Sequence, residues 1–135
     1  MILLDTNVLV ALVDRRDPLR ARVERDLPRL HRAGLVLTIP VLTESLHFLT
    51  TRSQRRHLQA LIAELSVRVA NPLPDPDGVL SWLIQYGDSD PDFTDAFLVA
   101  VTAIHKRSRI WTYDREFALI WRRPDGSRVP LAVQN

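Results

Sequence analysis

The chain has 135 residues, 46% hydrophobic and 25% charged, with 18 Lys and Arg against 16 Asp and Glu and a formal net charge of +2, so one globular domain over residues 1–135 is expected rather than a disordered segment. Its longest unbroken apolar runs, residues 8–13 and 96–101, are six residues each, far short of the roughly 20 that a membrane-spanning helix needs. With no Cys there is no disulfide framework and no thiolate chemistry, which suits a reducing cytoplasm.

The opening Met1-Ile2-Leu3-Leu4-Asp5 has no basic region and meets an acid at once, so no signal peptide is expected. Ile2, Leu3 and Leu4 read as a short buried strand, and residues 8–13 as a helix packed on it. Asp17 is the expected cap of a second helix, with Pro18 in its first position, Leu19, Val23, Leu27 and Leu30 facing inward, and Pro28 kinking or ending it. After Gly34, residues 35–39 form a second strand, and Pro40 opens a helix to about Thr51. Ser53 is the expected cap of the next helix, whose Leu58, Leu61, Ile62 and Leu65 face the core, before a short strand at 67–70. A Pro-rich connector at 71–76 leads into a helix from Asp77 to about Tyr86 that ends at Gly87. The most apolar helix runs from Phe93 to about Arg107, followed by a strand at 109–113, then a turn and an edge strand at 129–133. Trp82, Trp111 and Trp121 are expected in the core. Strands alternating with helices predict an α/β fold with a mainly parallel sheet.

The near-balance of charge hides its distribution. Seven Arg lie between residues 15 and 32, whereas residues 75–95 carry six Asp and no base. Arg reads phosphate bidentately, and an acid cluster needs counter-charge from Arg or from a bound cation.

In open parallel sheets, ligands bind beyond the carboxyl ends of the strands, where strand order reverses. Asp5 and Asp114 each end a predicted strand, Glu44 follows the second strand by one helical turn, and Asp95 lies in the first turn of the apolar helix. All four can meet at one edge. Carboxylates so close repel and raise one another's pKa unless a cation neutralises them. An all-oxygen pocket suits a hard ion, Mg²⁺ or Mn²⁺, and such ions promote phosphoryl transfer. Each acid also has a purely structural alternative: Asp5 as a strand-end turn residue, Glu44 as a surface charge, Asp92 with Asp95 as a helix cap, and Asp114 as a cap before residues 115–117.

Rival chemistries lack their residues. His31, His47, His57 and His105 show no HxxxH spacing for zinc. The four Gly, at 34, 78, 87 and 126, allow neither a dinucleotide loop nor a phosphate loop. There is no GxSxG elbow. Asp88-Ser89-Asp90-Pro91-Asp92 starts like a calcium loop, but Phe93 stands where Gly is needed and Val99 where the bidentate Glu belongs.

Four segments taken together resemble the PIN-domain ribonucleases, in particular the VapC-type toxins of bacterial and archaeal toxin–antitoxin pairs. They are Ile2-Leu3-Leu4-Asp5-Thr6-Asn7-Val8-Leu9, Thr43-Glu44, Asp92-Phe93-Thr94-Asp95-Ala96 and Thr112-Tyr113-Asp114-Arg115-Glu116-Phe117. The resemblance implies a three-layer sandwich with a mainly parallel central sheet flanked by helices, and a metal-dependent endoribonuclease held in check by a cognate antitoxin. It implies Asp5, Glu44, Asp95 and Asp114 as the catalytic, Mg²⁺- or Mn²⁺-binding set, with Asp92 as a fifth member, and Thr6, Asn7 and Thr112 as residues that support them or position water. It also implies a homodimer. Arg115 is the nearest RNA-binding candidate by sequence, followed by Arg15 and Arg16. The Arg-rich stretch 15–32 is not a family signature. Because the family includes members that bind RNA without cleaving it, the alternative is a non-catalytic RNA- or protein-binding module.

Overall fold

Strands covered on both faces need continuous apolar runs rather than alternating ones. Ile2–Leu4 (β1) and Leu35–Thr38 (β2) are of this kind and are buried at every position. With Arg68–Ala70 (β3) and Arg109–Trp111 (β4) they form a sheet of order β3-β2-β1-β4, parallel throughout. Leu3 pairs with Val36 on one side and Ile110 on the other. The computed structural model describes residues 1–134; the last residue of the expected 1–135 domain lies outside them.

Seven helices flank the sheet among the described residues: Thr6–Val13 (α1), Arg20–His31 (α2), Ile39–Phe48 (α3), Arg52–Glu64 (α4), Pro76–Gln85 (α5), Phe93–Ile104 (α6) and Glu116–Leu119 (α7). The α/β sandwich expected from the sequence is therefore present. Several boundaries differ, each for a local reason. The helix α1 starts two residues before the apolar run, because the Asp5 carboxylate caps it by accepting from Thr6 N. Asp17 does not cap α2; its carboxylate accepts from Leu19 N at 2.8 Å in a turn, and the helix begins at Arg20. Pro28 lies inside α2 without ending it. It is exposed, as is Glu24, whose carbonyl loses its helical partner.

The helix α3 stops at Phe48, short of Thr51, and Thr51 rather than Ser53 caps α4 through a reciprocal pair with Gln54. The edge strand expected at 129–133 shrinks to one parallel bridge between Leu131 and Ile110. Pro130 has no N–H to give, so it only accepts, from Ile110 N at 2.9 Å, before Ala132 N donates to Ile110 O at 2.8 Å.

All three Trp are buried, as expected. Trp121 meets Phe117 and Trp82 edge-on, at 4.7 and 5.7 Å between centroids, and its Nε1 donates to Ser89 Oγ at 3.0 Å. Trp111, fully buried at the end of β4, donates through Nε1 to the Tyr113 hydroxyl at 3.0 Å, which donates to Asp26 Oδ2 at 2.7 Å. The Arg22 guanidinium covers the Tyr113 ring at 4.4 Å. This chain of contacts ties α2 to the segment after β4. Tyr113→Phe leaves the Trp111 N–H buried without an acceptor, an expected loss of about 1–3 kcal/mol. A lower midpoint in urea denaturation checks it, and an unchanged midpoint would show that the network contributes nothing.

Candidate active site

Strand order runs outward from β1 through β2 to β3 and then crosses back to β4 on the other side, so the reversal lies between β1 and β4. Loops leaving adjacent strands in opposite directions open a crevice there. Asp5 leaves β1 into that crevice, its own N–H donating to Trp111 O on β4 at 3.1 Å. The Asp5 carboxylate is buried. Its Oδ1 accepts from Thr6 N at 2.8 Å, and its Oδ2 from Thr112 Oγ1 at 2.7 Å and Asn7 Nδ2 at 3.4 Å. Thr112 Oγ1 also accepts from Asn7 Nδ2 at 3.2 Å and Asp114 N at 3.0 Å, so its one donor and two acceptor sites are all used. Asn7 returns to the loop through Oδ1, accepting from Tyr113 N at 3.4 Å. Thr6, Asn7 and Thr112, expected as support, thus all lie around Asp5.

Burial pushes the Asp5 carboxyl up to about 6; the bonds from Thr112 and Thr6 oppose this, and the charges of Glu44 and Asp114 add to it. Asp92 and Asp95 form a capping box at the start of α6, with Asp95 N on Asp92 Oδ1 at 2.8 Å and Asp92 N on Asp95 Oδ2 at 3.0 Å. Burial is the largest cause pushing Asp95 up to about 9, reinforced by the charges of Asp92 and Asp5. Asp114 joins the site and precedes Arg115, the N-cap of α7, its Oδ1 accepting from Glu116 N at 3.0 Å.

A cleft of about 310 Å³ gathers Asp5, Glu44, Asp92, Asp95 and Asp114, and adds Asp17. No base lines it among the described residues. Sequence reasoning misses Asp17 as a member because its DP sequence reads as a helix start. Phe48 also lines the cleft, and its spacing of four from Glu44 on one helix is the available signal. The Arg candidates are not brought there. Arg115 and Arg16 are exposed, and Arg15 borders a separate cleft with Ser53, Gln54 and His57.

Among the described residues no three acidic or His side chains are gathered closely enough to hold an ion by themselves. The donor set nevertheless fits a hydrated hard cation, which takes one or two carboxylates and keeps several waters. Thr6 Oγ1, buried beside the cleft, has no hydrogen-bond partner.

Residues 2–121 match the PIN domain family. The chain belongs to that family. Among solved structures, this PIN domain is similar to the VapC20 toxin of Mycobacterium tuberculosis, described as cleaving the sarcin–ricin loop. The identity is 22%, the TM-score 0.65, and the match covers 86% of this chain and 92% of that one; at such identity it supports the fold. No curated protein sequence matches significantly.

Asp5 and Asp95 hold protons more tightly when folded than at their ordinary value of 3.8. Their contribution to stability is full below about pH 4 and is lost as pH rises through about 6 and about 9. The melting temperature of the metal-free protein should therefore fall across that range, and fall less steeply in Asp95→Asn, which keeps a side-chain oxygen to accept from Asp92 N but cannot ionise. Parallel profiles for the two proteins would contradict this assignment of the strain.

Proposed function

We propose that this PIN domain is a divalent-metal-dependent endoribonuclease and the toxin of a toxin–antitoxin pair, acting in the cytoplasm on RNA. The observation that carries the reading is a cleft at the strand-order reversal lined by carboxylates on five separate elements or loops, with no basic side chain among the described residues to balance them. The family match and the likeness to an RNA-cleaving toxin support it.

Asp5 and Asp95 would hold Mg²⁺ or Mn²⁺, with Glu44, Asp114 and Asp92 within the same cleft. Bound there, the ion supplies an activated water and neutralises charge on the phosphate. The chain's own residues are prepared for that chemistry. The Thr112 and Thr6 bonds fix Asp5 in one orientation, so no reorganisation is needed as charge develops. Asp114 commits Oδ1 to Glu116 N and Asp95 commits Oδ2 to Asp92 N, leaving the other oxygen of each for the cleft. Glu44 enters no hydrogen bond or ion pair among the described residues and lines the cleft, so its carboxylate would be free to orient the attacking water and accept its proton. The same cleft gives an antitoxin a place to insert a basic side chain. No helix among the described residues is long and apolar enough to cross a membrane.

Cleavage of RNA should require added Mg²⁺ or Mn²⁺, stop with chelator, and fall by about 10² or more in Asp5→Asn and Asp95→Asn, the scale of losing one preorganised electrostatic interaction. Equal cleavage by all three proteins would indicate a contaminating nuclease and overturn the assignment. Binding of RNA without cleavage in any metal would leave the non-catalytic module.

A further inference from the structure

Phe48 is the last residue of α3 and is 61% exposed, yet it lines the acidic cleft with Glu44. The two residues are four apart on one helix and share a face. Two residues further on, Thr50 borders a second cleft, of about 580 Å³, with Arg52, Arg55, Arg56 and Gln59 of α4. Arg55 is engaged: its Nε donates to Leu49 O at 2.9 Å and a terminal nitrogen to Leu46 O at 3.3 Å. Those bonds pin the start of α4 to the end of α3, so the basic cleft adjoins the segment that carries Phe48. Arg52 and Arg56 are exposed, and neither enters a hydrogen bond or ion pair among the described residues. No carboxylate lines their cleft.

Acid cleft, exposed ring and unbalanced guanidinium groups thus follow one another along a single stretch of chain. A polynucleotide offers partners in that order: a phosphodiester for a metal-loaded acidic cleft, a base for an aromatic face, and further phosphates for Arg. We propose that residues 44–56 form a track for unpaired RNA, with the scissile phosphodiester over the acidic cleft, a neighbouring base stacked on Phe48, and the flanking backbone held by Arg52 and Arg56. Base-paired RNA is excluded, because its bases are already stacked on one another and cannot turn onto the ring. The track rests on the ribonuclease reading above and assigns the RNA contacts to α3 and α4 rather than to Arg15, Arg16 or Arg115. An apolar knob of a protein partner would suit Phe48 but would leave Arg52 and Arg56 unbalanced.

Titration of the full chain with a labelled oligoribonucleotide in chelator, and steady-state cleavage of the same oligonucleotide with Mn²⁺, test the track. Phe48→Ala should raise Kd and KM about ten-fold or more, Phe48→Trp should restore them, and Phe48→Leu should not. The double variant Arg52→Ala, Arg56→Ala should lower the slope of log Kd against log salt by about 0.7 for each phosphate that is no longer neutralised. Arg109→Ala removes a single charge at the amino end of β4, the sheet edge away from the site, and should change neither quantity. A fully paired duplex of the same length should bind more weakly. Unchanged Kd, KM and salt slope in the variants of a wild type that cleaves would overturn the track and leave the ribonuclease standing. So would Leu serving as well as Phe, equal binding of duplex, or loss of antitoxin binding alone. Binding that depends on Phe48 and Arg52 without cleavage would do the reverse, and neither binding nor cleavage would overturn both.

Discussion

A carboxylate removed from water must be held by hydrogen bonds or neutralised, and the buried side chain of Asp5 sets that condition for everything around it. The Thr112 hydroxyl on one side and Thr6 N on the other meet it in part. In doing so they join the end of β1, the start of α1 and the end of β4, the three pieces that form the crevice. Thr112 in turn uses its remaining capacity on Asn7 and Asp114 N, so the position of Asp114 follows from the position of Asp5. What these bonds do not remove is the surplus of negative charge, since burial still pushes Asp5 up to about 6. The remaining charge is the part that a cation would satisfy.

Parallel topology explains why the other acids come to the same place. The strands β1 and β2 hand over directly to helices at this edge, so the N-termini of α1 and α3 face the crevice, and α6 arrives beside α3. Helix starts attract carboxylates, both as caps and through the helix dipole. Asp5, Asp92, Asp95 and Asp114 all bond to backbone N–H groups at helix starts while lining the cleft. Capping and ion-binding are therefore not competing explanations of these residues. A carboxyl group has two oxygens, and the fold uses one to start a helix and leaves acceptor capacity toward the cleft.

The bases are segregated from this site. Part of the Arg-rich stretch is used in holding α2, as with Arg20 on Leu12 O and Arg29 on Ala132 O. Its concentration in the sequence reflects that structural work at least as much as any ligand. The three Arg of α4 are less conspicuous in the sequence than the seven between 15 and 32, yet they line a cleft free of acids. Charge runs in a sequence count residues, whereas the field at a surface depends on which of them are already paired.

Apolar runs, Pro and Gly positions and the spacing of the acids determined a great deal by themselves: the parallel α/β class, the order of the elements, and the family through four short segments. These are local properties, legible because a doubly covered strand needs consecutive apolar residues and a helix start needs a cap. Boundaries such as Thr51 for Ser53, and the survival of α2 past Pro28, were decided by whichever nearby group completed a hydrogen bond in three dimensions. Membership of the cleft was decided at the same level. Asp17 joins it and Arg115 does not, although both lie close to predicted site residues in sequence, and Phe48 enters it from the far end of a helix. Only the strand order β3-β2-β1-β4 brings the ends of β1 and β4 side by side, because parallel pairing is made between segments more than a hundred residues apart and no local pattern records which neighbour a strand will choose.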